Sequence, residues 1–175
     1  MSCDIARGRK EPCKDSVGGL NAVYFINKGD LGAVTYDSTD TDVIDAVAGT
    51  PDAYKFDIKG ASTYTENITS SRENGTTTFE QVLELQLTKL TKEDHKTVKL
   101  LAFGSPTVLV EDNNGNVFVA GLEHGLDVSG GTIVSGAAMG DMSGYTLTFS
   151  GMEKAPANFL GDTISAVGFT VTEGA

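Results

Sequence analysis

Residues 54–90 read YKFDIKGASTYTENITSSRENGTTTFEQVLELQLTKL. At the start of this stretch, Tyr54, Phe56 and Ile58 alternate with charged residues, and near its end leucines at positions 83, 85 and 87 alternate with polar residues. A period of two is typical of a β-strand that buries one face. The stretch therefore predicts two half-buried strands separated by a polar span.

The polar span from 60 to 78 predicts a long hairpin. Nine of its nineteen residues are Ser or Thr, yet Tyr64 and Ile68 keep to one face of the two-residue pattern, with Glu66 between them. Asn74 and Gly75 favour a two-residue type I′ turn. Such a turn pairs Tyr64 with Leu85, Glu66 with Leu83 and Ile68 with Gln81. We expect this arm to project beyond the body of the domain and to need a partner, because isolated two-stranded hairpins are only marginally stable.

A single clear helix is predicted immediately afterwards, in the sequence TKEDHKTVKLLAFG at 91–104. Thr91 can cap it together with Asp94, and Gly104 is suited to end it. The expected buried stripe consists of Val98, Leu101 and Ala102.

Further strands are predicted downstream of the helix. The segments TVLVE (107–111) and VFVA (117–120) flank the turn residues 112–116, and YTLTFS (145–150) and VGFTVT (167–172) alternate apolar with small or polar residues. Asn and Gly between two apolar runs indicate a hairpin. The expected fold is therefore mainly β, with antiparallel strands and one helix.

The length and the net charge of the chain limit its domain organisation and its binding partners. The chain has 175 residues and a formal net charge of −11, which fits a single domain (1–175) and disfavours a tight grip on nucleic acid phosphates. Residues 1–28 carry five basic side chains, whereas residues 30–57 carry seven Asp against one Lys. Residues 1–19, which have few apolar anchors, are predicted to form an N-terminal arm.

The first residues of the sequence do not have the pattern of a secretory signal peptide, and no segment is long and apolar enough to span a membrane. We therefore expect synthesis in a cytoplasm and no membrane anchor.

The sequence predicts neither an enzyme nor a cofactor or metal site. The spacing of Cys3 and Cys13 matches no zinc pattern, so free thiols are expected, with a disulfide or a shared metal as the alternatives. His124 follows Glu123 and has two interpretations, a base oriented by a carboxylate or a hydrogen-bonded loop histidine, of which the second is favoured. No phosphate loop, nucleophile elbow or zinc-protease motif occurs in the chain.

The run TTTFEQVLELQLTKLTKEDHKTVKLLAFG, the hairpin VLVEDNNGNVFVAGLEHG and the closing SGGTIVSGAAMGDMSGYTLTFSGMEKAPANFL resemble virion structural proteins of tailed bacteriophages. Within that class the chain looks most like a tail-tube (major tail) protein. The resemblance covers roughly residues 54–160 and rests on the order of the elements, since it includes no catalytic motif.

The resemblance implies an antiparallel β-sandwich or curled sheet with one flanking α-helix and a long projecting β-hairpin. It also implies self-assembly into stacked, hexameric rings that form the tail tube of the virion. DNA then passes without specific binding, and the partners are other copies of the chain and other tail or neck proteins. The positions expected at the subunit interface are Tyr64, Glu66, Ile68, Arg72, Glu73, Asn74 and Gly75. Glu80 and Glu84, on the polar face of the 79–88 strand, are expected to face the lumen.

Two other functions remain open. One is a capsid decoration or head–tail neck protein, which could use the same sandwich and arm to grip a different lattice. The other is a small β-sandwich enzyme or sugar binder, and the absence of Trp and of clustered aromatic residues disfavours carbohydrate binding.

Overall fold

A computed structural model describes residues 4–5, 7–58 and 60–174 of the chain. The elements in chain order are β1 (Leu20–Ile26), β2 (Val34–Tyr36), β3 (Val43–Val47), β4 (Asp52–Asp57), β5 (Thr63–Ser71), β6 (Thr76–Thr88), α1 (Lys92–Phe103), β7 (Thr107–Asp112), β8 (Val117–Ala120), β9 (Asp127–Val134), β10 (Gly144–Glu153), β11 (Asn158–Leu160), α2 (Ile164–Val167) and β12 (Thr170–Thr172). Strands dominate, which confirms the mainly β fold class. Cys3 lies outside the described residues, and Cys13 is exposed.

The strands form two open sheets. One has eight strands in the order β12-β4-β1-β7-β8-β11-β3-β2, and the other has four in the order β5-β6-β10-β9. Nearly all neighbours are antiparallel, while the short strands β11 and β12 pair in parallel with β3 and β4. The β7–β8 hairpin predicted from the sequence is confirmed.

A hydrophobic core lies between the two sheets. Leu83, Leu85 and Phe149 from the four-stranded sheet are almost fully buried against Val23 and Val110 of the eight-stranded sheet. This sandwich places one face of the four-stranded sheet in the core and leaves the other face outside.

The central strands of the eight-stranded sheet are buried on both faces. A second cluster, on the side away from the four-stranded sheet, joins Tyr24 and Leu109 to Ile44, Ile164 and Phe169. Burial on two sides explains why β1 and β7 have near-continuous apolar runs rather than alternating ones.

The hairpin β5–β6 has the predicted strands but a different turn. Residues 72–75 form a four-residue loop, Ser71 pairs with Thr76, and Gly75 takes the left-handed φ of +63°. The predicted two-residue turn is therefore wrong, because four-residue loops built on a type I turn are also common in hairpins. The observed register pairs Tyr64 with Leu83, Glu66 with Gln81 and Ile68 with Phe79. Since each pairing moves by two residues, every side chain stays on its predicted face.

The strand predicted at 167–172 is only partly formed. Val167 ends the short helix α2, and β12 contains only 170–172. Gly168 ends the helix with a φ of +119°, and a Cβ there would lie 2.6 Å from the carbonyl oxygen of Val47. A short apolar run does not distinguish a strand from a buried helical turn, so the alternation was misleading.

Helix α1 begins and ends as predicted. The hydroxyl of Thr91 accepts a hydrogen bond from the Asp94 N–H at 3.0 Å, and Gly104 is the C-cap. Val98 is buried and Leu101 packs against the core, but Ala102 is exposed, so that part of the prediction is wrong. Phe103, next to Ala102, also faces solvent. The side of the helix that contacts the core is therefore a narrow stripe. Neither α1 nor α2 has the length and apolarity that a membrane-spanning helix requires, judged over the described residues.

We expect Thr91→Ala to lower the free energy of unfolding by about 1 kcal/mol, because an N–H of the first turn loses its acceptor. Urea denaturation followed by circular dichroism measures the change. Thr97→Ala is the matched control, since it lies within the same helix and leaves the cap intact. An equal loss in both variants would contradict a capping role for Thr91.

Candidate assembly surface

The outer face of the four-stranded sheet is the most distinctive surface of the molecule. Its side chains alternate with the core residues, and most carry hydroxyl groups. On β5 they are Thr63, Thr65, Asn67, Thr69 and Ser71; on β6, Thr76, Thr78, Glu80, Val82, Glu84, Gln86 and Thr88; on β9, Asp127, Gly130, Thr132 and Val134; and on β10, Thr146, Thr148, Ser150 and Met152. We call this surface the hydroxyl face.

The hydroxyl face is negatively charged. It carries the carboxylates of Glu80, Glu84 and Asp127, and the four strands, all of whose residues are described, contain no Lys or Arg. Glu84 is exposed, whereas Glu80 is half-buried and accepts a hydrogen bond from the Asn67 side chain at 3.4 Å. Both predicted lumen residues therefore lie on one polar sheet surface without a neighbouring cation on these strands.

The two edge strands of this sheet are unpaired on their outer sides. Among the described residues, β5 pairs only with β6, and β9 pairs only with β10. Every pairing within the sheet is antiparallel, so with four strands the two edge strands run in opposite directions. Unpaired backbone groups along such edges are a template for pairing with another chain.

The tip of the hairpin extends beyond the body of the sheet. The pairing of β10 with β6 ends at Phe79, so among the residues that the structure describes, 69–78 have only each other as strand partners. Ile68, at the base of this tip, is 69% exposed, and the loop residues Arg72, Glu73, Asn74 and Gly75 are all exposed. The projecting part is thus shorter than the 60–78 arm expected from composition.

Tyr64 and Glu66 point into the sandwich instead. The Tyr64 ring stacks on Phe118 with centroids 6.2 Å apart, and its hydroxyl donates to Glu66 at 2.6 Å. Glu66 also accepts the backbone N–H of Ala157 at 3.1 Å. Burial, followed by the hydrogen bond to Glu66, raises the pKa of Tyr64 above its ordinary value. Of the seven residues expected at a subunit interface, these two make contacts within their own chain, and the other five lie at the tip or its base.

The described part of the N-terminal arm contacts the turn between β7 and β8 through hydrogen bonds. Asn114 accepts from the Val17 N–H at 2.9 Å and donates to the Val17 carbonyl at 2.7 Å, while Asn113 donates to Gly18. The described residues from 4 to 19 are all exposed. The arm therefore extends from the β7–β8 turn with little packing against its own core.

Sequence reasoning missed the second edge strand, β9. Its sequence, DVSGGTIV, is interrupted by two glycines and contains a bulge opposite Thr148 and Phe149, so it lacks a regular alternation. The Gly-rich segment followed by Thr132-Ile133-Val134 was the only local indication of a strand.

We expect Glu66→Ala to destabilise the isolated chain by about 1–3 kcal/mol, because the half-buried Ala157 N–H and Tyr64 hydroxyl lose their acceptor. Glu73→Ala, on the same hairpin, should leave stability unchanged within about 0.5 kcal/mol. Urea denaturation of both variants at equal concentration makes the comparison. Equal stability of the two would show that the Glu66 contacts contribute nothing to the fold.

Comparisons with protein-family models, with curated proteins and with solved structures found no match to this chain. The function is therefore inferred from the geometry and charge of the hydroxyl face, its two edges and the hairpin tip.

Proposed function

We propose that this protein is a virion structural protein of a tailed bacteriophage that self-assembles into stacked rings and forms the tail tube through which DNA passes. The observation that carries the proposal is a four-stranded sheet that has an acidic hydroxyl face and two unpaired edges running in opposite directions.

The edges favour ring formation. If β9 of one copy pairs with β5 of the next, the antiparallel alternation continues across the contact, because the two edge strands run in opposite directions. Such a head-to-tail contact uses two different patches, and it generates a closed ring when the rotation between copies closes. The hydroxyl face then lines the inside, since the opposite face is already buried in the sandwich.

The width of the ring limits the number of copies. Six copies would supply 24 strands, which at a spacing of about 4.8 Å and a tilt of ~40° close with a backbone diameter of roughly 48 Å. Three copies would halve this to about 24 Å, and the side chains on the wall would then leave a bore too narrow for a nucleic acid duplex. A ring of about six copies leaves a bore wide enough for a nucleic acid duplex.

The charge of the hydroxyl face suits passage rather than binding. Phosphates are attracted by clustered Lys and Arg, and each such contact adds a salt-dependent term to the affinity. Glu80, Glu84 and Asp127 repel phosphates instead, and the hydroxyl groups around them hold water at the wall. DNA can then slide past without being retained.

The hairpin tip and the N-terminal arm supply contacts between rings. Both extend away from the body, and the basic side chains of the arm complement the acidic stretch at 30–57 of another copy. The same two extensions could instead grip a capsid, which is the basis of the alternative decoration or neck function. Negative-stain microscopy distinguishes the two, because tubes of the purified chain support the tail tube, and particles bound only to added capsids support the alternative.

Shortening the hairpin tests the contribution of its tip. Thr69 pairs with Thr78, so replacing residues 70–77 by Asn-Gly closes the same ladder with a two-residue turn. We expect a folded, soluble chain by circular dichroism that no longer forms tubes. The double variant Ser70→Ala, Thr77→Ala is the control, because it keeps the length of the tip and should still assemble. Normal tubes from the shortened chain would exclude the tip as an assembly contact.

Reversing charge on the hydroxyl face tests the bore. We expect E80K/E84K to assemble and its tubes to bind duplex DNA at low salt, with an affinity that falls steeply as salt is raised. D162K/E173K changes the net charge equally, at exposed positions outside both the four-stranded sheet and the acidic stretch 30–57, and should bind much less. Fluorescence anisotropy of labelled DNA with sedimented tubes measures both. Equal DNA binding by the two variants would mean that Glu80 and Glu84 do not line the bore.

A further inference from the structure

Three side chains that the proposed tube does not use meet at one corner of the sandwich. Glu123 and His124 lie in the loop between β8 and β9, and Glu153 is the last residue of β10. One ligand atom from each lies within 4.8 Å of the others, and His124 Nδ1 is 3.1 Å from Glu153 Oε2. We propose that these residues bind a divalent transition-metal ion of the zinc class.

Glu153 is held in a position suited to a metal ligand. It is only 7% exposed, and its Oε1 accepts the backbone N–H groups of Glu123 and His124 at 3.2 and 2.9 Å. This leaves Oε2 directed at the imidazole. Carboxylates and imidazoles that ligate metals are typically oriented by such outer hydrogen bonds.

The loop that carries the other two ligands is fixed to the body. Lys28 Nζ donates to the carbonyl of His124 at 3.0 Å, and the buried hydroxyl of Thr107 donates to the carbonyl of Gly121 at 3.0 Å. The buried Gln81 side chain accepts the Gly121 N–H at 2.8 Å. These contacts hold the loop from both sides, so the imidazole is presented to Glu153 without further folding.

The spacing and the donor types favour a zinc-class ion. Ligand distances of about 2.0–2.2 Å in a tetrahedral site place neighbouring donor atoms roughly 3.3 Å apart. The observed separation of 3.1 Å between His124 and Glu153 matches this requirement. One nitrogen and two carboxylate oxygens suit zinc and related ions better than Mg²⁺ or Ca²⁺, which prefer oxygen alone.

Glu123 completes the site from the solvent side. Its side chain is 55% exposed and contacts Lys154 at 3.3 Å, and Lys154 is itself 80% exposed. An ion pair this open to solvent is weak, so Glu123 can rotate toward the ion at little cost. Three protein ligands leave a coordination position for water.

A bound ion would join the two sheets. The loop follows β8, which belongs to the eight-stranded sheet, whereas Glu153 ends β10 of the four-stranded sheet. An ion that binds only the folded arrangement stabilises it by mass action. We therefore expect this corner to respond to zinc even in the unassembled chain.

The test uses Zn²⁺ with the full-length chain and reads two signals. We expect Tm to rise saturably, by roughly 5–10 °C at a free Zn²⁺ concentration about 100-fold above Kd. In NMR spectra the imidazole resonances of His124 should shift, and those of His95, the second of the two histidines, should not. His95 is exposed on α1 and serves as the internal control for adventitious surface binding.

Variants separate this site from other zinc ligands. His124→Ala is suitable because that side chain is 57% exposed, and it should weaken binding at least about tenfold, as should Glu123→Gln. C3S/C13S removes the thiols and should bind as the unmodified chain does. Mg²⁺ at the same concentration should leave Tm unchanged. The proposal is overturned if His124→Ala binds Zn²⁺ normally, if C3S/C13S abolishes binding, or if His95 and His124 respond equally.

Discussion

The burial of one face of the four-stranded sheet is the constraint on which the rest of the structure depends. Leu83, Leu85 and Phe149 are almost fully buried on that face, and they exclude water only if β6 and β10 keep a fixed register. Because side chains alternate along a strand, the same register places Glu84 and Thr148 outside. The hydroxyl face is therefore not an independent feature but the necessary complement of the core. A sheet this amphipathic is stable in one orientation only, which fixes the surface that it exposes.

The edges of the sheet follow from its connectivity. β5 and β6 are joined by a hairpin, and β10 lies between β6 and β9, so β5 and β9 have no outer strand partner within the described part of the chain. Neither edge strand contains a lysine or a proline, which are common means of preventing edge pairing. Two unpaired edge strands in one sheet support the proposal that the protein assembles. On β5 the outward-facing side chains of this edge are polar.

Carboxylates that face the interior of the sandwich form hydrogen bonds, whereas those on the outer face contribute charge. Glu66 and Glu153 each accept backbone N–H groups of a neighbouring segment, and each connects the four-stranded sheet to a loop of the other layer. Glu84, by contrast, is exposed and contributes negative charge to the outer face of the sheet. The same residue type therefore stabilises the sandwich at two corners and sets the charge of its outer face, and burial decides which role it takes.

The sequence by itself determined those elements that depend on interactions between residues close together in the chain. The alternation of Leu83 and Leu85, the Thr91 cap and the Asn-rich turn at 112–116 each follow from interactions within a few residues. Tertiary structure decided what depends on distant contacts. Tyr64 stacks on Phe118 and Glu66 accepts a hydrogen bond from Ala157, and neither partner is near them in sequence. In the same way, only folding brings Glu153 to His124 and leaves β9 at an edge, because sequence patterns report which face of a strand is buried and not which segment buries it.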